Sequence, residues 1–131
     1  MLKPITLALA ACALIAGPAQ AQRTDPETRL AREIEGRVAG EPVDCINLRD
    51  IRSSRIIDRT AIVYETGGGT IYVNRPDGGA SSLDRWDTLV TDTPSSRLCD
   101  IDVVKLYDTS TRMQTGFVFL GEFVPYRKVR R

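Results

Sequence analysis

Paired aspartates are the residues of this chain whose types and spacing come nearest to a reaction centre. Asp100 and Asp102 are two positions apart, and on a strand such residues share one face, so that both carboxylates could point the same way. With Asp108 nearby, the pair could bind calcium or act in acid/base catalysis, and Asp58, Asp100 and Asp102 form the candidate polar cluster of an enzyme. Calcium takes roughly six to eight oxygen ligands, and no EF-hand spacing is present. We therefore favour structural roles, in which Asp100 caps a turn and Asp102 pairs with an arginine.

Nucleophilic chemistry has less support in the sequence. The chain contains no histidine, so a serine or cysteine nucleophile would lack the base with which it is usually paired. No Gly-x-Ser-x-Gly motif is present, and Lys105, a candidate base for serine–lysine chemistry, falls on a predicted strand. We predict no catalytic residues, no cofactor and no metal.

Cys45 and Cys99 are most simply explained as one disulfide, because a zinc site would need two more soft ligands. Disulfides are typical of exported proteins. In the chain-entropy account, a bond across this interval stabilises the fold by about 4 kcal/mol. Since whole domains are stable by only about 5–15 kcal/mol, the predicted disulfide matters for folding.

The N-terminus has the pattern of an export signal. Lys3 precedes an apolar run over residues 5–16, which is too short for a bilayer span of roughly 20 residues. A Gly-Pro helix breaker and an Ala-x-Ala site follow, so we expect cleavage between Ala21 and Gln22. The pattern predicts a periplasmic or secreted protein with a signal peptide over residues 1–21.

Cys12 leaves a second location open. The sequence Leu-Ala-Ala-Cys that ends at Cys12 fits the site cut by lipoprotein signal peptidase, which would give a membrane-anchored lipoprotein. Ordinary cleavage is favoured because the apolar run continues beyond Cys12 and a well-formed second site follows.

The balance of charges argues against a nucleic-acid binder. The chain has 18 basic and 17 acidic residues, and removal of the signal peptide takes away Lys3 and balances the two signs. Nucleic-acid binders normally carry a basic excess. A short basic tail over residues 127–131 could touch anionic lipid, although such tails are usually only solvated. We expect membrane contact only through this tail or a lipidated Cys12.

An N-terminal helix and linker are predicted over residues 22–42. Pro26 suits the first helical position, and Leu30, Ile34 and Val38 recur at steps of four. The spacing predicts an amphipathic helix of about three turns that ends near Gly36 or Gly40 and covers one side of a sheet.

A single mainly β domain is predicted over residues 43–126, where short β-rich runs alternate with turn signals. The glycines at 67–69 lie between two alternating strands, which favours a hairpin over a phosphate-binding loop. Five or six short strands predict a small twisted sheet closed into a barrel or sandwich.

Six short motifs follow one another between residues 43 and 126. They are Cys45-Ile46-x-Leu48, Ile51-Arg52-Ser53, Ile57-Asp58, Tyr72-Val73-Asn74-Arg75, Leu98-Cys99-Asp100-x-Asp102 and Leu120-Gly121-x-Phe123-Val124-Pro125. Their order resembles a family of small exported bacterial proteins known only as a domain of unknown function. Members of that family often carry a second cysteine pair, where this chain has Gly79-Ala80 and Val118-Phe119. The resemblance implies that one disulfide has been lost as a unit, and it implies no known activity.

Export, a compact β pattern and the lack of histidine favour a non-enzymatic, disulfide-stapled domain that binds an unidentified protein or polymer of the cell envelope. One alternative is a small carboxylate-dependent hydrolase or lyase that acts on envelope polymers through Asp58, Asp100 and Asp102. Another is a periplasmic inhibitor that uses the loop over residues 75–86. The partner and the oligomeric state stay open.

Overall fold

The computed structural model describes residues 24–130, together with residue 4, residues 12–14 and residue 17. The predicted cleavage between Ala21 and Gln22, and most of the predicted export signal, lie outside the described residues. Cys12 is described, and its thiol is exposed and free. None of the helices in the described part of the chain is long and apolar enough to cross a membrane.

Residues 24–130 are mainly β, as predicted, with one α-helix. The elements in chain order are α1 (Pro26–Glu33), β1 (Arg37–Ala39), β2 (Cys45–Asn47), β3 (Ile51–Ile57), β4 (Ala61–Thr66), β5 (Ile71–Asn74), β6 (Asp87–Thr91), β7 (Arg97–Cys99), β8 (Val103–Asp108), β9 (Gln114–Phe119) and β10 (Phe123–Lys128). Single turns of 3₁₀ helix follow β2 at Leu48–Asp50 and precede β6 at Ala80–Ser82.

Three antiparallel sheets form the body of the protein. The largest has the strand order β1-β10-β5-β4-β3, a second has the order β6-β8-β9, and β2 pairs with β7. The sequence predicts one sheet of five or six strands closed into a barrel or sandwich. Residues 24–130 instead contain ten strands in three separate sheets with open edges, and these form no closed barrel. After β5 the chain does not turn back as another hairpin; the segment 75–86 carries it to the second sheet instead.

The largest sheet is covered on both faces, which explains the uninterrupted apolar start of β4. Ala61 and Val63 pack with Leu30 of α1, whereas Ile62 and Tyr64 pack in a second core that includes Leu106 of β8. All four β4 residues are buried. The arrangement is therefore three layers, namely a helix, a five-stranded sheet and a three-stranded sheet.

Both ends of the domain differ from the sequence prediction. The helix ends at Glu33, after about two turns, and Gly36 with φ of +73° reverses the chain. Val38, expected on the helix, lies on β1 opposite Arg127. The last strand extends to Lys128, so the predicted basic tail is partly a paired strand.

The predicted disulfide between Cys45 and Cys99 is confirmed. The two residues lie directly opposite each other on β2 and β7, with their Cα atoms 4.0 Å apart. The neighbouring Asp100 N–H donates to the Asp44 carbonyl at 2.8 Å, so the cysteines occupy a non-hydrogen-bonded position, where opposite strands come closest. The bond closes a loop that contains β3 to β6.

Candidate functional site

Of the three aspartates considered for chemistry, Asp58 and Asp102 hold turns, and the Asp100 side chain makes no hydrogen bond or ion pair within the described residues. The predicted pairing of Asp102 with an arginine is wrong, because its carboxylate contacts backbone instead. Asp102 accepts a hydrogen bond from the Cys99 N–H at 2.7 Å, in the turn after β7, so it caps that turn and takes the role expected of Asp100. Asp58 lies in the β3–β4 turn and accepts from the Arg85 N–H at 2.7 Å. The contacts of Asp58 and Asp102 have no residue in common. Within the described residues, no group of three or more His, Cys, Asp or Glu side chains is placed to hold a metal.

A cleft of about 580 Å³ lies near Asp58, between α1, β3 and β6. One wall is formed by residues 54–57 of β3 and the opposite wall by residues 87–89 of β6. Arg29 and Arg32 of α1, Arg55 of β3 and Arg85 line it. We call this feature the arginine cleft.

Both strand walls of the arginine cleft are sheet edges. Within the described residues, β3 pairs only with β4, and β6 pairs only with β8. An edge strand presents unpaired backbone N–H and C=O groups that can receive another strand. The cleft therefore combines charged side chains with free backbone hydrogen-bonding groups.

Arg55 is the tightly paired cation of the cleft. Its Nε and Nη2 atoms lie 2.9 Å and 2.8 Å from Glu33 Oε2, and its Nη1 atom lies 3.0 Å from Glu65 Oε2. Burial opposes the charge, but the hydrogen bonds to Glu33 and Glu65 outweigh it and raise the pKa of Arg55. Because Glu33 is on α1 and Arg55 is on β3, this pair fixes the helix beside the edge strand.

The other arginines of the cleft form only weak ion pairs with carboxylates of residues 24–130, or none. Arg29 and Arg85 share the Asp58 carboxylate, each at 3.8 Å. Ion pairs that are this long and partly exposed contribute little to stability. Arg32 forms no ion pair with a carboxylate of residues 24–130. Arg29 and Arg85 can therefore leave a weak ion pair to bind a ligand, and Arg32 can bind one without breaking an ion pair in residues 24–130.

Trp86 lies beside the cleft with 71% of its surface exposed. The Arg85 guanidinium is 5.1 Å from the centre of its ring. The backbone of Trp86 is held in place, because its N–H donates to Asp84 Oδ1 at 2.8 Å and its carbonyl accepts from the Thr109 hydroxyl at 3.3 Å. Large aromatic residues with adjacent arginines are typical anchors of binding interfaces.

A second depression joins Trp86 to the cleft. It shares Arg29 and Arg85 with the arginine cleft and is also lined by Asp58 and Arg59. The concave surface therefore extends from the strand edges to the exposed indole ring.

The sequence contains each component of this site but no pattern that joins them. Arg29, Arg55 and Arg85 are far apart along the chain and lie on separate elements. The abundance of arginine over lysine was the available signal, because arginine favours bidentate carboxylate pairing. The glycines at 67–69 form the predicted hairpin turn between β4 and β5.

Comparison of the chain with family models, with curated proteins and with solved structures found no match. The resemblance of residues 43–126 to a family of small exported proteins stays a prediction.

Proposed function

We propose that this protein is an exported, non-enzymatic binding domain that holds an anionic partner of the cell envelope in the arginine cleft. The N-terminal signal pattern and the disulfide between Cys45 and Cys99 support export, since structural disulfides are typical of oxidising compartments. Residues 24–130 form the disulfide-stapled unit that would act there.

One observation carries the proposal: four arginines, two from α1, one from β3 and one from the segment before β6, line one cleft with only two acidic residues, Glu33 and Asp87. Of these arginines, only Arg55 is tightly paired within residues 24–130. Arg32 has no carboxylate partner in residues 24–130, and Arg29 has only the 3.8 Å contact with Asp58. Arginine binds carboxylates and phosphates through planar, two-pronged hydrogen bonds. An anionic ligand would supply the partners that these side chains lack.

The carboxylate-dependent enzyme alternative is not favoured. One carboxylate oxygen of Asp102 accepts a hydrogen bond from the Cys99 N–H. The Asp58 carboxylate lies between the Arg29 guanidinium and the Arg85 backbone N–H. A catalytic acid or base must reach the reacting atoms of a substrate. The contacts of these aspartates instead explain turn formation and the anchoring of the segment before β6.

The test is binding of three anionic probes, namely poly-L-glutamate, polygalacturonate and phosphatidylglycerol vesicles, measured by calorimetry at low ionic strength. We expect at least one of them to bind, and Arg32→Glu to weaken that binding by about tenfold. Arg97→Glu is the matched control, because Arg97 is exposed on β7 and has no ion pair within residues 24–130. Failure of all three probes, or equal losses in both variants, would refute the proposal.

The location is tested separately by the mass of the exported protein. Cleavage before Gln22 gives an unmodified chain over residues 22–131, whereas lipidation gives a heavier species that begins at Cys12. A protein that keeps residues 1–21 and stays in the cytoplasm would contradict export.

A further inference from the structure

We propose that the arginine cleft receives an extended acidic peptide segment, which adds as a strand between β3 and β6. This inference rests on the proposed function and names the class of partner. Strand addition at an exposed sheet edge is a common mode of peptide recognition, in which backbone hydrogen bonds supply affinity and alternate side chains supply specificity.

The geometry of the walls supports strand addition. Residues 54–57 and residues 87–89 belong to edge strands of two different sheets, and they face one cleft without pairing with each other. A peptide in the cleft could therefore bond to the backbone of either wall.

The regular part of the β3 edge coincides with the cleft. The register between β3 and β4 is disturbed between Ile51 and Ser53, but it is uninterrupted from Ser54 to Ile57. β6 likewise pairs with β8 without a break from Asp87 to Thr91. Bulges terminate or redirect pairing, so an added strand is best accommodated along the uninterrupted stretch, and this stretch lines the cleft.

The side chains around the cleft predict an alternating ligand. Arg55 and Ile57 point toward α1, where they contact Glu33 and Leu30, whereas Ile56 packs in the core on the other face of the sheet. Strand residues alternate between faces, so a peptide beside β3 would present every second side chain to the α1 side. That side carries Arg29 and Arg32 and selects acidic residues.

The β6 side of the cleft carries one apolar side chain, Leu89, beside Asp87 and Thr88. Leu89 of β6 packs against the core that contains Ile56, and it is only partly buried. The side chains of the peptide that point away from α1 would contact Leu89, which favours aliphatic residues at those positions. The recognition pattern is therefore acidic and aliphatic residues in alternation.

The probe is an acetylated and amidated peptide of four Asp-Val repeats. Trp86 is the single tryptophan of the chain and borders the cleft, so its fluorescence reports binding. Three comparison peptides test charge, alternation and backbone hydrogen bonding separately. Lys-Val repeats reverse the charge, and a block of Asp followed by a block of Val removes the alternation. The third peptide is the Asp-Val peptide with alternate peptide bonds N-methylated, which removes backbone donors. Amide hydrogen exchange measures the protection of β3 and β6.

We expect the Asp-Val peptide to bind at least tenfold more tightly than each comparison peptide. We also expect it to slow exchange at those amides of residues 54–57 and 88–89 that face away from β4 and β8. Equal binding of the N-methylated peptide would overturn strand addition and leave a charge-recognising cleft, so the proposed function would survive. Binding of polygalacturonate or vesicles without binding of the peptide would likewise overturn only this inference. If no anionic probe binds, both fall.

Discussion

The side-chain amide of Asn74 and the backbone of Gly121 form a closed pair of hydrogen bonds inside the protein. Asn74 Nδ2 donates to the Gly121 carbonyl at 2.7 Å, and the Gly121 N–H donates to Asn74 Oδ1 at 2.9 Å. Asn74 is fully buried. The amide thus satisfies both backbone groups of Gly121, just before β10 begins, and ties the end of β5 to that segment.

Asn74→Ala should lower the free energy of unfolding by about 2–4 kcal/mol, because it leaves a buried N–H and a buried C=O without partners. Urea denaturation of the purified protein measures the change. The control is Asn47→Ala, since Asn47 is exposed and makes a single 3.2 Å hydrogen bond to the Arg49 N–H. We expect this control to lose less than about 1 kcal/mol. Equal losses would show that the Asn74 pair has no special weight.

Gly121→Ala should destabilise the protein by about 3 kcal/mol through steric overlap. A Cβ atom at Gly121 would overlap the Arg75 carbonyl oxygen and would lie 3.0 Å from Asp77 Oδ1. Gly68→Ala is the matched control, because a Cβ atom there meets no atom within 4 Å. Thermal unfolding compares the two, and a wild-type melting temperature for Gly121→Ala would contradict the close approach.

Loss of the disulfide should cost up to about 4 kcal/mol, since the closed loop spans 54 residues. The double variant Cys45→Ser/Cys99→Ser and the reduced wild-type protein should have the same urea midpoint, below that of the oxidised protein. A chain that begins at Gln22 contains no cysteine besides Cys45 and Cys99, so reduction changes this bond alone. A reduced protein as stable as the oxidised one would mean that the staple is dispensable.

Glu27 and Arg75 predict a pH dependence of stability. The hydrogen bond from Arg75 lowers the pKa of Glu27 below its ordinary value of 4.5. A lowered folded-state pKa stabilises the protein above the unfolded-state value, and this stabilisation disappears as the pH falls through the folded-state value. Glu27→Gln should therefore reduce the urea midpoint at pH 7 and have no effect near pH 2. An equal reduction at both pH values would assign the effect to packing.

Local patterns were sufficient to predict much of the fold. The glycines at 67–69 stand between alternating strands, and the β4–β5 hairpin follows from them. β8 has the apolar and β-branched composition of a strand, and Lys105 lies on it as predicted. The disulfide followed because only Cys45 and Cys99 remain beyond the predicted signal peptide.

Long-range packing decided the rest. Val38 matches the helical spacing of Leu30 and Ile34, but Gly36 adopts a positive φ and Val38 pairs on β1 instead. A periodic pattern cannot show that the chain reverses before its last member. The number of sheets could not be predicted either, because local patterns do not show that the segment 75–86 carries the chain to a second sheet.

The arginine cleft was beyond prediction for a related reason. Its two strand walls are separated by about thirty residues, and the edges face each other only because α1 and the β6-β8-β9 sheet cover opposite faces of the largest sheet. The sequence gives no sign of which strands become edges, since Arg55 on β3 and Asp87 on β6 resemble ordinary exposed positions.

The affinity of the Asp-Val peptide for wild-type protein and for Arg32→Glu tests the central claim most directly. Arg32 lines the cleft and makes no ion pair with a carboxylate of residues 24–130, so its reversal changes the charge of the site without breaking such a pair. Titration followed by Trp86 fluorescence should show binding that weakens by about tenfold in Arg32→Glu and by less than about twofold in Arg97→Glu. Equal affinity of all three proteins would contradict a binding role for the arginine cleft.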